Sequence, residues 1–255
     1  MKTYSLILLL FVFVSCKNTN SISTQIPVED VGLLLSDFNK WWTYHYYNVN
    51  LSLDFIPYDK DGQHITKTEF LKKLSTGNYI TVALAIDDDT AHYKLFKLGD
   101  DTIKSIGSTA SYQGYIRHKH FMMEGKPFPT FSANTIDGAT FSNTSLVGKT
   151  TVLKTWFITC APCVAEFPEL NTLVATYKDR DDIQFLSLAT DTKAELQTFL
   201  TKKPFKYAVL ANQKNLIRNE LKFNAYPTHL IVDDEGKIEK VFIKASEMMS
   251  YLKTK

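Results

Sequence analysis

The feature that most constrains this chain is where two of its three cysteines stand. Residues 150–156 read as a buried strand. The chain then passes through Phe157-Ile158-Thr159 into Cys160-Ala161-Pro162-Cys163, where a helix spanning 161–177 begins. A cysteine at a helix start meets unpaired backbone N–H groups and the positive end of the helix dipole. Both favour thiolate over thiol, so the sequence predicts that Cys160 ionises below the value of about 8.5 for a free cysteine. The thiolate is the species that attacks a disulfide. Pro162 fits the first helical turn, where its missing N–H costs nothing. Cys163 follows one turn on, within reach to complete an exchange begun at Cys160.

The spacing also argues against a structural staple. A bridge between residues so close in sequence closes a very short loop and constrains the unfolded chain little. Other uses of such a pair fit less well. A structural zinc site takes four ligands, and a lone pair supplies two, with His229 single downstream. A c-type haem attachment needs His directly after the second cysteine, where Val164 stands. A peroxidase pattern of Pro-x-x-x-Thr-x-x-Cys would put Pro and Thr where Leu153 and Phe157 are. No metal or cofactor is expected.

Around this pair, strand-like and helix-like segments alternate. A hairpin at 131–141 turns at Asp137-Gly138. It is followed by the strand at 150–156, the helix from 161, a strand at 183–189 and a helix at 193–202. A short strand at 207–210, a helix at 215–221, a hairpin of 228–232 with 237–243 and a last helix at 246–252 complete the series. Strands alternating with helices predict an α/β fold with a largely parallel central sheet.

The preceding residues are organised differently. Met1-Lys2 is a short positive start, residues 4–14 are uncharged and dominated by Leu, Val and Phe, and Ser15-Cys16 closes the run. That is the pattern of an export signal, too short to span a bilayer, which takes about 20 residues. With Cys16 as a lipidated mature N-terminus, residues 1–15 are a lipoprotein signal and 16–30, rich in Ser, Thr and Asn, a tether. Residues 31–124 are expected to form a small α+β domain, and 125–255 the α/β domain. The two prolines of Lys126-Pro127-Phe128-Pro129 make a stiff, extended connector between them. Within 31–124, the aromatic run from Trp41 to Tyr47 leads into an apolar–polar alternation at 49–55 and reads as strand core, with an exposed recognition patch as the alternative. Thr66-Lys67-Thr68-Glu69 is a capping box opening a short helix. Segments 79–86 and 92–98 read as strands joined by the acidic residues 87–89; 103–115 has no clear pattern. Asp59-Lys60-Asp61-Gly62 imitates a calcium loop, but Thr68 would fall where that loop needs Glu, so a hairpin turn is expected. With 29 basic and 27 acidic side chains the net charge is only +2, which gives no nucleic-acid footprint.

Gly148-Lys149, Trp156, the Cys-Ala-Pro-Cys turn, Glu166 and Pro168 together resemble the TlpA/ResA-like thiol–disulfide oxidoreductases of the thioredoxin superfamily. So does Tyr226-Pro227-Thr228 before a strand ending in Asp233-Asp234-Glu235-Gly236-Lys237. The resemblance covers about 126–255. It implies a thioredoxin-like fold, a central mixed sheet flanked by helices, in a bacterial lipoprotein on the periplasmic side of the cell envelope. It makes Cys160 the nucleophile and Cys163 the resolving thiol. Pro227 matches the family's cis-proline, which leaves the Tyr226 backbone free to pair with an incoming peptide; Thr228 follows at the strand entry. Glu166 is a candidate proton shuttle for Cys163 or a first-turn acid that complements the dipole. Trp156 is a candidate lining residue or core indole. Lys154 stands where thioredoxin has a buried acid, as a cation favouring thiolate or as a side chain with its head in water. The partners implied are protein disulfides or dithiols and a membrane thiol electron donor, with reduction as the usual direction, often in the service of cytochrome c maturation. Two alternatives are a non-enzymatic thioredoxin-fold binding lipoprotein and a thiol peroxidase.

Overall fold

The computed structural model describes residues 27–86 and 90–255. The expected signal, Cys16 and most of the tether lie outside these residues, as does the acidic connection at 87–89. The tether's end is not free: Val28 N donates to Ala83 O at 3.0 Å, and Asp30 caps the first helix by accepting from Leu33 N at 3.0 Å.

The N-terminal part runs α1 (Val31–Leu35), α2 (Phe38–Asn48), β1 (Ile56–Tyr58), α3 (Lys67–Leu74), β2 (Tyr79–Ala83), β3 (His92–Lys97) and α4 (Lys104–Phe121). Its sheet has the order β1-β3-β2, with β2 antiparallel and β1 parallel to β3. Two expectations fail here. The aromatic run is the helix α2, because Trp41, Tyr44 and His45 recur at helical spacing and all turn inward. Asp37 starts it by accepting from the backbone N–H of Asn39 and Lys40. The alternation at 49–55 forms no strand; the Asn50 side chain accepts from Ser52 N at 3.1 Å and turns the chain. The capping box at Thr66 and Glu69 closes in both directions, and Asp59 Oδ1 holds the turn at Gly62 by accepting from Asp61 N and Gln63 N. The patternless segment is in α4. Its Gly107 and Gly114 lie against backbone: a Cβ on Gly114 would stand 2.6 Å from Ser75 N. The core of this part gathers Trp41, Phe70, Leu71, Ile80, Leu95 and Ile106.

The C-terminal part begins with the hairpin β4 (Ser132–Asn134) and β5 (Thr140–Ser142). It continues β6 (Thr150–Trp156), α5 (Ala161–Ala165), α6 (Phe167–Thr176), β7 (Ile183–Ala189), α7 (Lys193–Leu200), β8 (Ala208–Leu210), β9 (Thr228–Val232), β10 (Ile238–Phe242) and α8 (Ala245–Leu252). The sheet order is β10-β9-β6-β7-β8. Only the β6–β7 and β7–β8 pairings are parallel; β9 is antiparallel to both β6 and β10. The sheet is therefore mixed rather than largely parallel, because the last two strands form a hairpin instead of a helical crossover. The helix expected over 161–177 is split at Glu166, with Pro168 in the first turn of α6. The helix expected at 215–221 is a single wide turn, in which Leu221 N donates to Leu216 O at 2.9 Å. The proline connector hydrogen-bonds along β10, through Gly125 N to Ile238 O and Ile238 N to Lys126 O, both at 2.8 Å. β6 and β9 are central and almost wholly buried, so whatever β6 leads into is held by the stiffest part of the sheet.

The two parts meet through charge pairs, one of them buried. Arg117 of α4 donates to both carboxylate oxygens of Glu247 on α8, at 3.0 and 3.2 Å, and Ser52 Oγ donates to the same carboxylate at 3.1 Å. Lys240 bridges Asp54 and Glu124, at 2.7 and 2.9 Å.

Candidate active site

The end of β6 delivers the chain to Cys160, which is the N-cap of α5. Cys160 and Cys163 form a disulfide with their Cα atoms 5.2 Å apart. Cys163 is fully buried and Cys160 is 5% exposed, so one sulfur is nearer solvent and the other lies behind it. Cys163 N donates to Cys160 Sγ at 3.3 Å. Because α5 is only five residues long, what the fold offers Cys160 Sγ is this first-turn N–H rather than a long helix dipole, whose influence in any case fades within one turn.

The surrounding loops are fixed by named bonds. Ile158 N donates to Asp191 Oδ2 at 2.9 Å, which ties the loop before Cys160 to the end of β7. The Tyr226–Pro227 peptide is cis. Thr228 N donates to Thr155 Oγ1 and Thr155 Oγ1 donates to Thr228 O, both at 3.2 Å, so the Pro227 loop is locked to the strand that carries the cysteines. The Tyr226 ring meets Phe157 edge-on with centroids 5.1 Å apart. Trp156 is fully buried against Phe167, Phe199 and Phe205, in the same apolar cluster as the two cysteines. It is core behind the site, with no exposed face to line it. Pro162 and Pro227 both line a cleft of about 600 Å3.

Beneath the turn lies a cluster that the sequence reading did not assemble. Lys154 is fully buried and its ammonium donates to Glu166 Oε2, with His229 Nε2 3.2 Å from the same oxygen. Glu166 Oε1 accepts from Ala245 N at 3.3 Å. The head of Lys154 is thus not in water, and Glu166 is not a simple first-turn acid. Burial opposes the charge on Glu166, but its donors outweigh burial and hold it below the usual carboxylate range. Burial lowers Lys154, with Glu166 opposing, and burial lowers His229, which keeps the imidazole neutral. Val152, Lys154 and Trp156 share one face of the strand by its period of two, but both faces of β6 are buried, so the period carries no signal for where the ammonium goes. The pairing with His229 had no local signal. Asp191 was also missed; nothing near it in sequence marks it. Among the described residues, no group of three or more His, Cys, Asp or Glu side chains is placed to hold a metal ion. None of the described helices is long and apolar enough to cross a membrane.

Comparison with known proteins bears on the same residues. Residues 125–241 match the AhpC/TSA family. A thiol–disulfide oxidoreductase ResA from Bacillus cereus is 29% identical over 132 residues, covering 51% of this chain and 76% of that protein. The thioredoxin-like protein YneN of Bacillus subtilis is 28% identical over 134 residues, covering 52% and 78%. Among solved structures, a thiol–disulfide oxidoreductase from Bacteroides fragilis aligns with a TM-score of 0.46 at 21% identity, over 51% of this chain and 98% of that one. StoA from Bacillus subtilis aligns with a TM-score of 0.42 at 20% identity, over 49% and 97%. The C-terminal half of the chain, which carries the Cys160–Cys163 pair, thus matches the AhpC/TSA family over residues 125–241 and is similar to thiol–disulfide oxidoreductases of the ResA type.

Proposed function

We propose that the chain reduces disulfides in proteins outside the cytoplasm, with Cys160 as nucleophile and Cys163 as resolving thiol. In the reduced protein, the Cys160 thiolate attacks a substrate disulfide. A mixed disulfide forms and one substrate sulfur leaves as thiolate. Cys163, deprotonated, then attacks Cys160 Sγ, the second substrate sulfur leaves, and the Cys160–Cys163 disulfide closes. Two electrons pass to the substrate, and a membrane thiol donor must return two to reset the pair. The observation that carries this reading is the asymmetry of the pair: an outer sulfur that accepts a backbone N–H and an inner one with no exposure. Pro227, Tyr226 and Thr228 shape the approach to Cys160, and Pro162 shapes the turn. Glu166, at the end of the cysteine helix, is held as an anion by Lys154.

Residues 31–124 form a separate module in this reading and 125–255 the catalytic domain. The chain is held to the cell envelope on its periplasmic side by lipid on Cys16, after removal of 1–15, with the segment that follows as tether. Assistance to cytochrome c maturation is one use of such a reductase.

The test is trapping. Cys163→Ala should accumulate partner proteins disulfide-bonded to Cys160, while Cys160→Ser accumulates none and loses insulin reduction. No adducts on Cys163→Ala, with insulin reduction absent in the unaltered chain, would leave the binding-lipoprotein reading. Peroxide consumption would support the peroxidase. Equilibration with glutathione decides direction, and a potential near that of strong periplasmic oxidants would reverse it.

A further inference from the structure

The cleft beside the redox turn has a second wall that the C-terminal part does not supply. One side presents Pro162, Ala165 and Pro227; the other presents Trp42 and Tyr46 of α2, backed by Gln113 and Arg117 of α4. Trp42 and Tyr46 are four residues apart and so share one helix edge, with ring centroids 6.3 Å apart. Tyr46 is 43% exposed. Its position is nevertheless clamped: Lys244 Nζ lies 3.7 Å from the ring centroid and donates to Tyr46 O at 2.5 Å. Behind it, the buried contacts of Arg117 and Ser52 with Glu247 fasten α4 to α8. The aromatic wall therefore stands at a set distance from the cysteines.

Most charges along this cleft are already matched within the protein, while Glu169, exposed in its lining, has no ion-pair partner among the described residues. Arg117 is paired with Glu247, Lys244 lies 3.7 Å from Glu247, and Glu166 is paired with Lys154. Matched charges give little net field for recognising a charged partner. What remains to an entering chain is the Glu169 carboxylate together with two aromatic rings and two prolines in one lining, a surface suited to apolar or aromatic side chains and unsuited to acidic ones. A groove walled on both sides also favours a segment that can enter it, a loop or terminus in extended form, over a flat folded surface.

We propose that Trp42 and Tyr46 are specificity-determining residues, and that the substrate is an extended polypeptide segment with an aromatic or large aliphatic side chain next to its disulfide-bonded cysteine. This rests on the exchange reaction proposed above and names its substrate class.

The experiment uses the full chain in reduced form and two short disulfide peptides, identical except for Phe-Leu or Asp-Ser beside the cysteine. The quantity read is the ratio of kcat/KM for the first peptide to that for the second. In the unaltered chain the Phe-Leu peptide should be favoured. Trp42→Ala and Tyr46→Ala should each lower the ratio by about tenfold, the size of a well-packed aromatic contact, and Trp42→Phe should restore most of it. Because Tyr46 is half exposed, Tyr46→Ala keeps the test valid even if Trp42→Ala folds poorly. A ratio unchanged in Tyr46→Ala, or no preference in the unaltered chain, overturns the proposal. Failure of the unaltered chain to reduce glutathione disulfide would instead strike at the exchange reaction itself.

Discussion

Lys154 and His229 are register partners on neighbouring antiparallel strands, and both converge on one oxygen of Glu166 at the break between α5 and α6. The lysine is fully buried and the carboxylate partly so, at 17% exposure. Removing one partner of such a pair leaves an uncompensated charge out of water, which costs about 3–5 kcal/mol. Glu166→Gln is therefore expected to lose about 3 kcal/mol in urea unfolding. The double variant Lys154→Met, Glu166→Leu, which removes both charges, should lose much less. Equal losses in the two would mean that the charge pairing contributes nothing.

The disulfide should matter little for stability. Bridging residues 160 and 163 closes a loop so short that the chain-entropy relation gives only about 2 kcal/mol. Reduction should shift the urea free energy by no more than about that amount, with far-ultraviolet dichroism unchanged. Global unfolding on reduction would mark the pair as a structural staple.

Acid should destabilise the fold before any carboxylate of ordinary pKa is protonated. Burial holds His45 and His120 at about 3 in the folded chain, against about 6.5 when unfolded. Below the unfolded value the unfolded state binds more protons, so stability falls as pH drops from 6.5 towards 3, by up to about 1.4 kcal/mol per pH unit for each histidine. Glu166, lowered on folding, adds its own loss below about 4.3, the ordinary carboxylate value. Tm measured from pH 7.5 to 5 should decline, and His120→Phe, whose ring can keep the edge contact with Phe223, should flatten the slope. An identical slope in that variant would remove His120 from the account.

Gly114→Ala should destabilise even though Ala is the better helix former by about 1 kcal/mol. Its new Cβ would stand 2.6 Å from Ser75 N and 2.8 Å from Leu74 C, which is backbone and cannot swing aside. A lower urea midpoint is expected. A higher one would show that α3 and α4 can part without cost.

The cysteine turn, the capping box at Thr66, the hairpin at Asp137-Gly138 and most strands of the C-terminal part were legible in sequence, because each rests on contacts within a few residues. Lys154 was left between a cation favouring thiolate and a side chain with its head in water, because on a strand buried on both faces the period of two does not say where the ammonium goes. The aromatic stretch at Trp41 misled for another reason. Its residues suit a strand by type, and only packing against Phe70, Ile106 and their neighbours shows which period is used. α4 stayed hidden because Gly107 and Gly114 weaken its local signal, and their purpose is visible only where another backbone comes close.

The sequence by itself determined that a cysteine pair sits where a strand gives way to a helix, and that an α/β domain surrounds it. Short-range hydrogen bonding and side-chain alternation suffice for that. Only the tertiary structure decided that Lys154, Glu166 and His229 meet, and that α2 lines one cleft with Pro162 and Pro227. Those groups are far apart along the chain. Strand register and the burial of opposite charges bring them together, and neither leaves a local trace.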